Sequence, residues 1–396
     1  MKKLLLLIFA ASLLSPPASA APKAVAVKKL DIVASAVNAE GLVATGKTLV
    51  TYSNTGSTNS NIELTGLDVT GVQQWVRNID SGVDEIATAA TVDAAGNIWL
   101  AGSSAAVTVT ESATAAIAAE NPDGVVAEEL PKVRSDMNQI TIWKLSPVGE
   151  PLATYLSPQN SPALVSALSV NSSGISLVGV LAERPFLISA TPTGVFAKPL
   201  FIGTNKSALN AVVRSPDGSV NLFGESSETL GGKKLAGTQD GILVKVSKTG
   251  AITSVVRSSA IKAQRSWLAA DSTLTLTGYV KSGKVIESAF TKFNSSFAPT
   301  WTMRIPSTGS STVLTAAGTT YGALSSNSAI KGVTGWKPTT PTLLLATFTS
   351  KGVMTGAYAD SQLSAPISLV YTKELGLCGL AKGSGESISI FRLATR

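Results

Sequence analysis

Two short turn patterns alternate along this chain, and their alternation limits what it can fold into more than any other feature. The first is Asn, Asp or Ser, two spacers and Gly: Asn38 with Gly41, Asp93 with Gly96, Asn171 with Gly174, and Ser215 with Gly218. The side-chain oxygen can accept from the turn backbone, and Gly takes a positive φ without a Cβ clash. A β-branched segment ending in Gly follows each one, at residues 42–46, 98–102, 175–179 and 220–224. Residues 274–278 continue the series without the turn glycine. The second pattern uses the same turn chemistry at Asp68/Gly71, Ser146/Gly149, Thr191/Gly194, Ser247/Gly250 and Thr349/Gly352. Asn294 to Phe297 is a copy that lacks its Gly. Apolar segments such as 140–145, 242–246 and 343–348 lead into these turns, as three- to five-residue hairpin loops require.

Interleaving the two patterns gives a four-strand unit, a-b-c-d, with the first turn between a and b and the second between c and d. Seven a segments are found, beginning near Asp31, Ile86, Val165, Leu209, Ser266, Val313 and Ile367. They are rich in small residues, as in Ala87-Thr88-Ala89-Ala90 and Ala269-Ala270. Small side chains suit strands crowded around a central channel, whereas a two-sheet sandwich gives no reason to make one strand in four small; a parallel β-helix or a sandwich is the alternative. The sequence therefore predicts an all-β fold: a seven-bladed β-propeller of four-stranded blades. The last unit stops after its c strand, and residues 24–30 precede the first a strand. That predicts closure by an N-terminal strand completing the last blade, which removes free sheet edges.

Residues 1–20 read as a secretory signal: Lys2 and Lys3, an apolar run over 4–14, Pro16-Pro17, then Ala18-Ser19-Ala20 for a peptidase. The run is shorter than the ~20 residues needed to span a bilayer. No Cys follows the cleavage site, and no later stretch reads as a transmembrane anchor. Residues 21–396 are then one propeller with a long loop insertion at 103–138, working in an extracytoplasmic setting. With Lys2 and Lys3 removed, 30 basic residues face 25 acidic ones, without the clustering a nucleic-acid binder shows. Cys378, the single cysteine, forms no intrachain disulfide and sits in an apolar segment that reads as a buried, inert thiol.

Residues 93–102 (Asp-Ala-Ala-Gly-Asn-Ile-Trp-Leu-Ala-Gly) and 240–250 (Asp-Gly-Ile-Leu-Val-Lys-Val-Ser-Lys-Thr-Gly) resemble the secreted bacterial β-propeller repeat family. The strand with a basic residue recurs as Trp143-Lys144-Leu145, Lys292-Phe293 and Phe391-Arg392-Leu393. Units two and four match well, while units three, six and seven are degenerate. The resemblance implies a fold and an extracytoplasmic setting, with no shared chemistry.

Long b–c connections are expected at residues 47–61, 103–138, 225–239 and 325–341, all on one rim, and binding is placed there. Trp336 and Lys337 lie in one of these loops, where a tryptophan can stack on a sugar or anchor a protein contact. The pairs Asp84–Glu85 and Glu225–Glu228 are the remaining site candidates, since two carboxylates across a channel can cleave a glycosidic bond. Trp99, Trp143 and Trp267 read as core, and Trp75 and Trp301 as openings of outer strands that end in Arg77 and Arg304. The chain holds no histidine, which removes Ser-His-Asp hydrolysis and most zinc sites. No metal or cofactor is expected. The leading expectation is a non-catalytic binding or scaffold propeller that engages protein or glycan partners of the cell envelope. The alternatives are a carboxylate-dependent glycan hydrolase or lyase and a structural cell-surface component.

Overall fold

The structure is a computed structural model and describes residues 24–35, 37–56, 60–106, 136–383, 385 and 387–393. The expected signal and most of the 103–138 insertion lie outside the described residues.

Strands β1 (Val25–Lys29) and β2 (Asp31–Ala34) come first. Blade I follows, with β3 (Gly41–Thr45), β4 (Thr48–Thr55), β5 (Asn61–Leu67) and β6 (Gln73–Ile79). Blade II holds β7 (Glu85–Val92), β8 (Ile98–Ser104), β9 (Gln139–Leu145) and β10 (Pro151–Pro158). Blade III holds β11 (Ala163–Asn171), β12 (Gly174–Leu181), β13 (Arg184–Ala190) and β14 (Leu200–Phe201). Blade IV is β15 (Ser207–Arg214), β16 (Val220–Ser226), β17 (Asp240–Val246) and β18 (Ile252–Ser258). Blade V is β19 (Gln264–Ala270), β20 (Thr275–Ser282), β21 (Val285–Phe293) and β22 (Pro299–Pro306). Next come β23 (Ser311–Ala316), β24 (Thr319–Ser326), β25 (Val333–Thr334), β26 (Thr342–Phe348) and β27 (Met354–Ala359). The chain closes with β28 (Leu363–Thr372), β29 (Gly376–Gly383) and β30 (Ile388–Arg392), which β2 joins to make blade VI.

The expectation of a seven-bladed propeller of four-stranded blades is corrected. Among the described residues six four-stranded blades form, and the sheet built on β23, β24, β26 and β27, which takes up β1 and β25, is six-stranded. The closure is corrected with it. Residues 25–29 do not complete the last blade but run parallel to β27, with Val27 opposite Ala357 and Lys29 opposite Ala359. The next segment, β2, pairs antiparallel with β30, Asp31 opposite Arg392 and Ile32 opposite Phe391. Leu30, between the two, is fully buried against Leu345 and Phe391. The N-terminus thus ties two neighbouring sheets together across one buried leucine.

Unit one was read one strand too early for the same reason. Residues 42–46 imitate a b strand, yet Gly46-Lys47 is itself the a–b turn, with Thr45 opposite Thr48. Asn38 therefore lies on the link from β2 into blade I, and Gly41 opens β3 opposite Tyr52. The other turns behave as their chemistry requires. Asp68, Ser146, Thr191, Ser247, Asn294 and Thr349 each accept, through a side-chain oxygen, from the amide four residues on. In the copy without glycine, Phe297 itself adopts φ +61°. Its ring, edge-on to Phe223 at 6.0 Å, supplies packing against that strain.

The innermost strands explain both the small residues and the b-strand glycines. Strands β7, β11, β15 and β19 each carry a bulge, at Thr88, Ser166, Asn210 and Leu268. The bulge pushes a carbonyl toward the neighbouring strand, where only glycine leaves room. A Cβ on Gly102, Gly179, Gly224 or Gly278 would lie 1.8–2.0 Å from the carbonyl oxygen of Ile86, Leu164, Ala208 or Ser266. Side chains on neighbouring blades use the displaced backbone. Asn54 brackets Ala87 with bonds of 2.8 and 2.9 Å, Thr88 donates to Val165 O at 2.7 Å, and Asn210 donates to Trp267 O at 3.0 Å. Between the sheets lie separate apolar clusters, such as Phe223, Leu243 and Trp267 between blades IV and V. Trp99 and Trp143 are likewise buried.

Candidate functional site

In a four-strand meander the b–c and d–a connections emerge at one end, here the upper face, and the a–b and c–d turns at the other. Blade IV carries a long upper connection at 227–239, and the six-stranded sheet carries one at 327–341. Blade II's connection begins at 105, and residues 107–135 of it are not described. The long loop expected at 47–61 is absent, because β4 fills 48–55 and only 56–60 connect. In blades III and V the same connections shrink to two residues, with Ala182, Glu183 and Gly283 in the left-handed region.

The sequence-selected residues all lie on this face, but on separate sheets: Asp84 and Glu85 on blade II, Glu225 and Glu228 on blade IV, Trp336 and Lys337 on the six-stranded sheet. The structure does not bring them into one constellation. Trp336 is buried with Ile330 and Leu344, and its Nε1 donates to Ser328 O at 2.8 Å, so the indole closes the sheet core. Lys337 beside it is exposed. Asp84 accepts from Ser60 N at 2.5 Å, and its carbonyl accepts from Ala105 N at 2.9 Å. Glu85 is 2% exposed and accepts from the Ser81 hydroxyl at 2.7 Å and the Ser81 amide at 3.2 Å.

Glu228 accepts from Thr204 N at 2.7 Å, Ser207 Oγ at 2.7 Å and Thr204 Oγ1 at 3.0 Å. Burial pushes its carboxyl upward, but those donors and the charge of Lys206 outweigh it and hold the pKa below the ordinary carboxylate value. Glu228 is therefore held ionised and makes a poor proton donor. Glu225, half-buried, sits opposite Gly241 on the next strand rather than forming a dyad with Glu228.

Several residues that organise this face were not singled out in the sequence. Asp240 and Arg257 form a buried ion pair at 2.7 Å, their side chains 0% and 7% exposed. Asp240 also accepts from Ala236 N at 3.0 Å and Gly237 N at 2.8 Å, while Arg257 donates to Ser226 O at 3.2 Å and Lys233 O at 3.3 Å. Burial raises the Asp240 carboxyl, yet the Ser259 side chain, Arg257 and the two amides reverse this and leave it lowered. Arg265 is buried over the Trp267 ring, 4.2 Å from its centroid. Burial, then the nearby Arg304 charge, lowers its guanidinium to about 10. A lone charge in an apolar run is the signal that marks Asp240 and Arg265. Arg257, the partner of Asp240, lies 17 residues on, and Arg304, whose charge acts on Arg265, lies on another strand, both beyond local pattern.

Two of the cavities among the described residues bear on this face. The central channel, about 400 Å³, is lined by Thr88, Ala89, Ser166, Ala167, Asn210 and Ala269, with Glu40 and Tyr52 also at its wall. Tyr52 is buried and beside Glu40, and both effects raise its hydroxyl pKa above the ordinary value. The second, about 350 Å³, lies between blades I and II.

No protein-family model matches the chain, and no curated protein matches it. Among solved structures it is similar to the WD40 domain of Toxoplasma gondii coronin, at 12% identity over 94% of this chain and 90% of that one, with a TM-score of 0.51. It is also similar to the β-propeller domain of the Trilobed protease of Pyrococcus furiosus, at 9% identity over 93% and 97%, TM-score 0.49. A third is a putative 6-phosphogluconolactonase from Bacteroides fragilis, at 11% identity over 89% and 90%, TM-score 0.49. At such identities the coronin likeness speaks for the fold alone: the chain has a β-propeller repeat fold.

Proposed function

We propose that this chain is a non-catalytic, extracytoplasmic binding or scaffold propeller that engages protein or glycan partners through its upper-face connections. The observation that carries this reading is the pinned 227–239 connection. The buried Asp240–Arg257 pair and its backbone contacts order that loop before any partner arrives. A pre-ordered loop loses little conformational entropy on association, so more of its contact energy appears as affinity. The acid pairs Asp84–Glu85 and Glu225–Glu228 stand on separate blades, and Glu225 forms no dyad with Glu228, which argues against the glycan hydrolase alternative and its facing carboxylates. The location rests on Lys2-Lys3, the apolar run and Ala18-Ser19-Ala20.

The test replaces residues 229–238 with a Gly/Ser linker of equal length and measures capture of solubilised envelope material by the immobilised mature chain. Lys248→Glu, on the lower turns, is the control. The reading expects the loop variant to lose capture and the control to keep it. Capture retained by the loop variant and lost by the control overturns it.

A further inference from the structure

We propose that the cleft between blades I and II binds an alkylammonium group, presented either by a lysine side chain or by a free alkylamine. This deepens the upper-face reading, on which it rests, by naming a ligand class for one pocket of that face. The cleft encloses about 350 Å³, within the range of small-ligand sites, between β6 and the link 80–83 on one side and strands of blade II on the other. Ile79, Val83, Trp143, Pro151 and Leu156 give it apolar walls. Among the described residues its charged lining is two acids, Asp80 and Glu85, with no lysine or arginine.

Glu85 lines this cleft. Its carboxylate is buried, is hydrogen-bonded to Ser81, and has no cation within ion-pair distance among the described residues. Buried charges in proteins are ordinarily paired, because an unpaired one loses its hydration without compensation. An incoming ammonium restores that compensation. Trp143 supplies the second, independent observation. It is 2% exposed, lines the cleft, and its Nε1 has no hydrogen-bond partner. An indole face attracts cations, and its free N–H awaits an acceptor such as the carbonyl flanking a lysine side chain. A stem of four or five methylenes matches the apolar walls, with Leu156, half exposed, at the mouth.

The experiment titrates the mature chain by calorimetry with n-pentylamine, with Nα-acetyl-lysine methylamide and with neutral n-pentanol at pH 7. The proposal expects at least one amine to bind ten-fold or more tighter than pentanol. Glu85→Gln should remove that preference, and Leu156→Lys, which places a tethered ammonium at the exposed mouth, should block the amine without unfolding the chain. Preference for the capped lysine over pentylamine points to a protein partner; the reverse points to a free amine. Equal binding of amine and alcohol, or amine binding unchanged by Leu156→Lys, overturns the proposal. Failure here with envelope capture intact rejects this pocket alone, whereas amine binding without capture rejects the platform reading and keeps the pocket.

Discussion

Replacing Gly224 by alanine places a methyl 2.0 Å from the Ala208 carbonyl oxygen and 3.0 Å from the Leu209 Cα. The obstructing atom is backbone, so no rotamer change relieves it. Restoring an ordinary contact requires β15 to withdraw from β16 by about 1 Å or more at the bulge. That lengthens about two ladder hydrogen bonds worth about 1 kcal/mol each and adds about 1–3 kcal/mol of overpacking strain, about 3–5 kcal/mol together. With an unfolding entropy of about 2 cal/mol/K per residue, a chain this long loses about 4–7 °C in melting temperature. The comparison variant is Gly250→Ala, at φ +85° with nothing within 4 Å of the new methyl. It bears only the left-handed penalty of about 1–2 kcal/mol, or about 1–3 °C. Differential scanning fluorimetry of both variants decides the matter. If Gly224→Ala melts no lower than Gly250→Ala, the Ala208 carbonyl does not crowd Gly224 at the bulge.

Four further outcomes follow from the same structure. Asp240→Asn, which leaves Arg257 buried without its anion, should cost about 3–5 kcal/mol and speed amide exchange over 233–238; unchanged exchange there contradicts the pinning role. Leu30→Ala should cost about 2–5 kcal/mol in chemical denaturation, since the side chain is fully buried where β1 hands over to β2; a cost under ~1 kcal/mol removes it as a tie between sheets. Burial raises the Cys378 thiol from 9.0 to about 11, the nearby Arg392 charge opposing it. The native state then keeps its proton after the unfolded chain has lost it, so a contribution of at most about 3 kcal/mol is present below pH ~9 and lost as pH rises toward ~11. Cys378→Ala should flatten that alkaline limb of a urea-denaturation series, and parallel limbs for variant and parent refute it. Glu228→Gln should weaken the acid limb instead, because a lowered carboxyl stabilises above its unfolded pKa and ceases to as pH falls; an unaltered acid limb shows that its three donors do not favour the native state.

Much of the fold could be read locally because its signals are local. An Asp, Ser, Thr or Asn at a turn bonds the amide four residues on, so Asp68, Ser146 and Thr191 disclose their hairpins without any knowledge of the rest. The b-strand glycines were visible as a repeat, but their cause, a carbonyl pushed across by a bulge in the preceding strand, appears only once both strands are paired. The closure was misread because residues 25–29 and 31–34 are both plausible edge strands. What separates them is the buried Leu30, whose partners Leu345 and Phe391 lie over 300 residues away. At the site, sequence marked Glu85 as an acid of interest but paired it with Asp84, its neighbour in the chain. Space pairs it with Asp80 and Trp143 around a cleft. Trp336 read as a loop tryptophan free to bind, whereas the carbonyl of Ser328 and the packing of Ile330 hold it inside.

Hydrogen–deuterium exchange of residues 21–396, with and without whatever the immobilised chain captures from envelope material, tests the proposed upper-face role most directly. Exchange should slow over residues 80–84, 227–239 and 327–341, with the lower turns at 68–71, 146–149, 191–194 and 247–250 unchanged. Protection confined to those lower turns, with the upper connections exchanging as before, would contradict it.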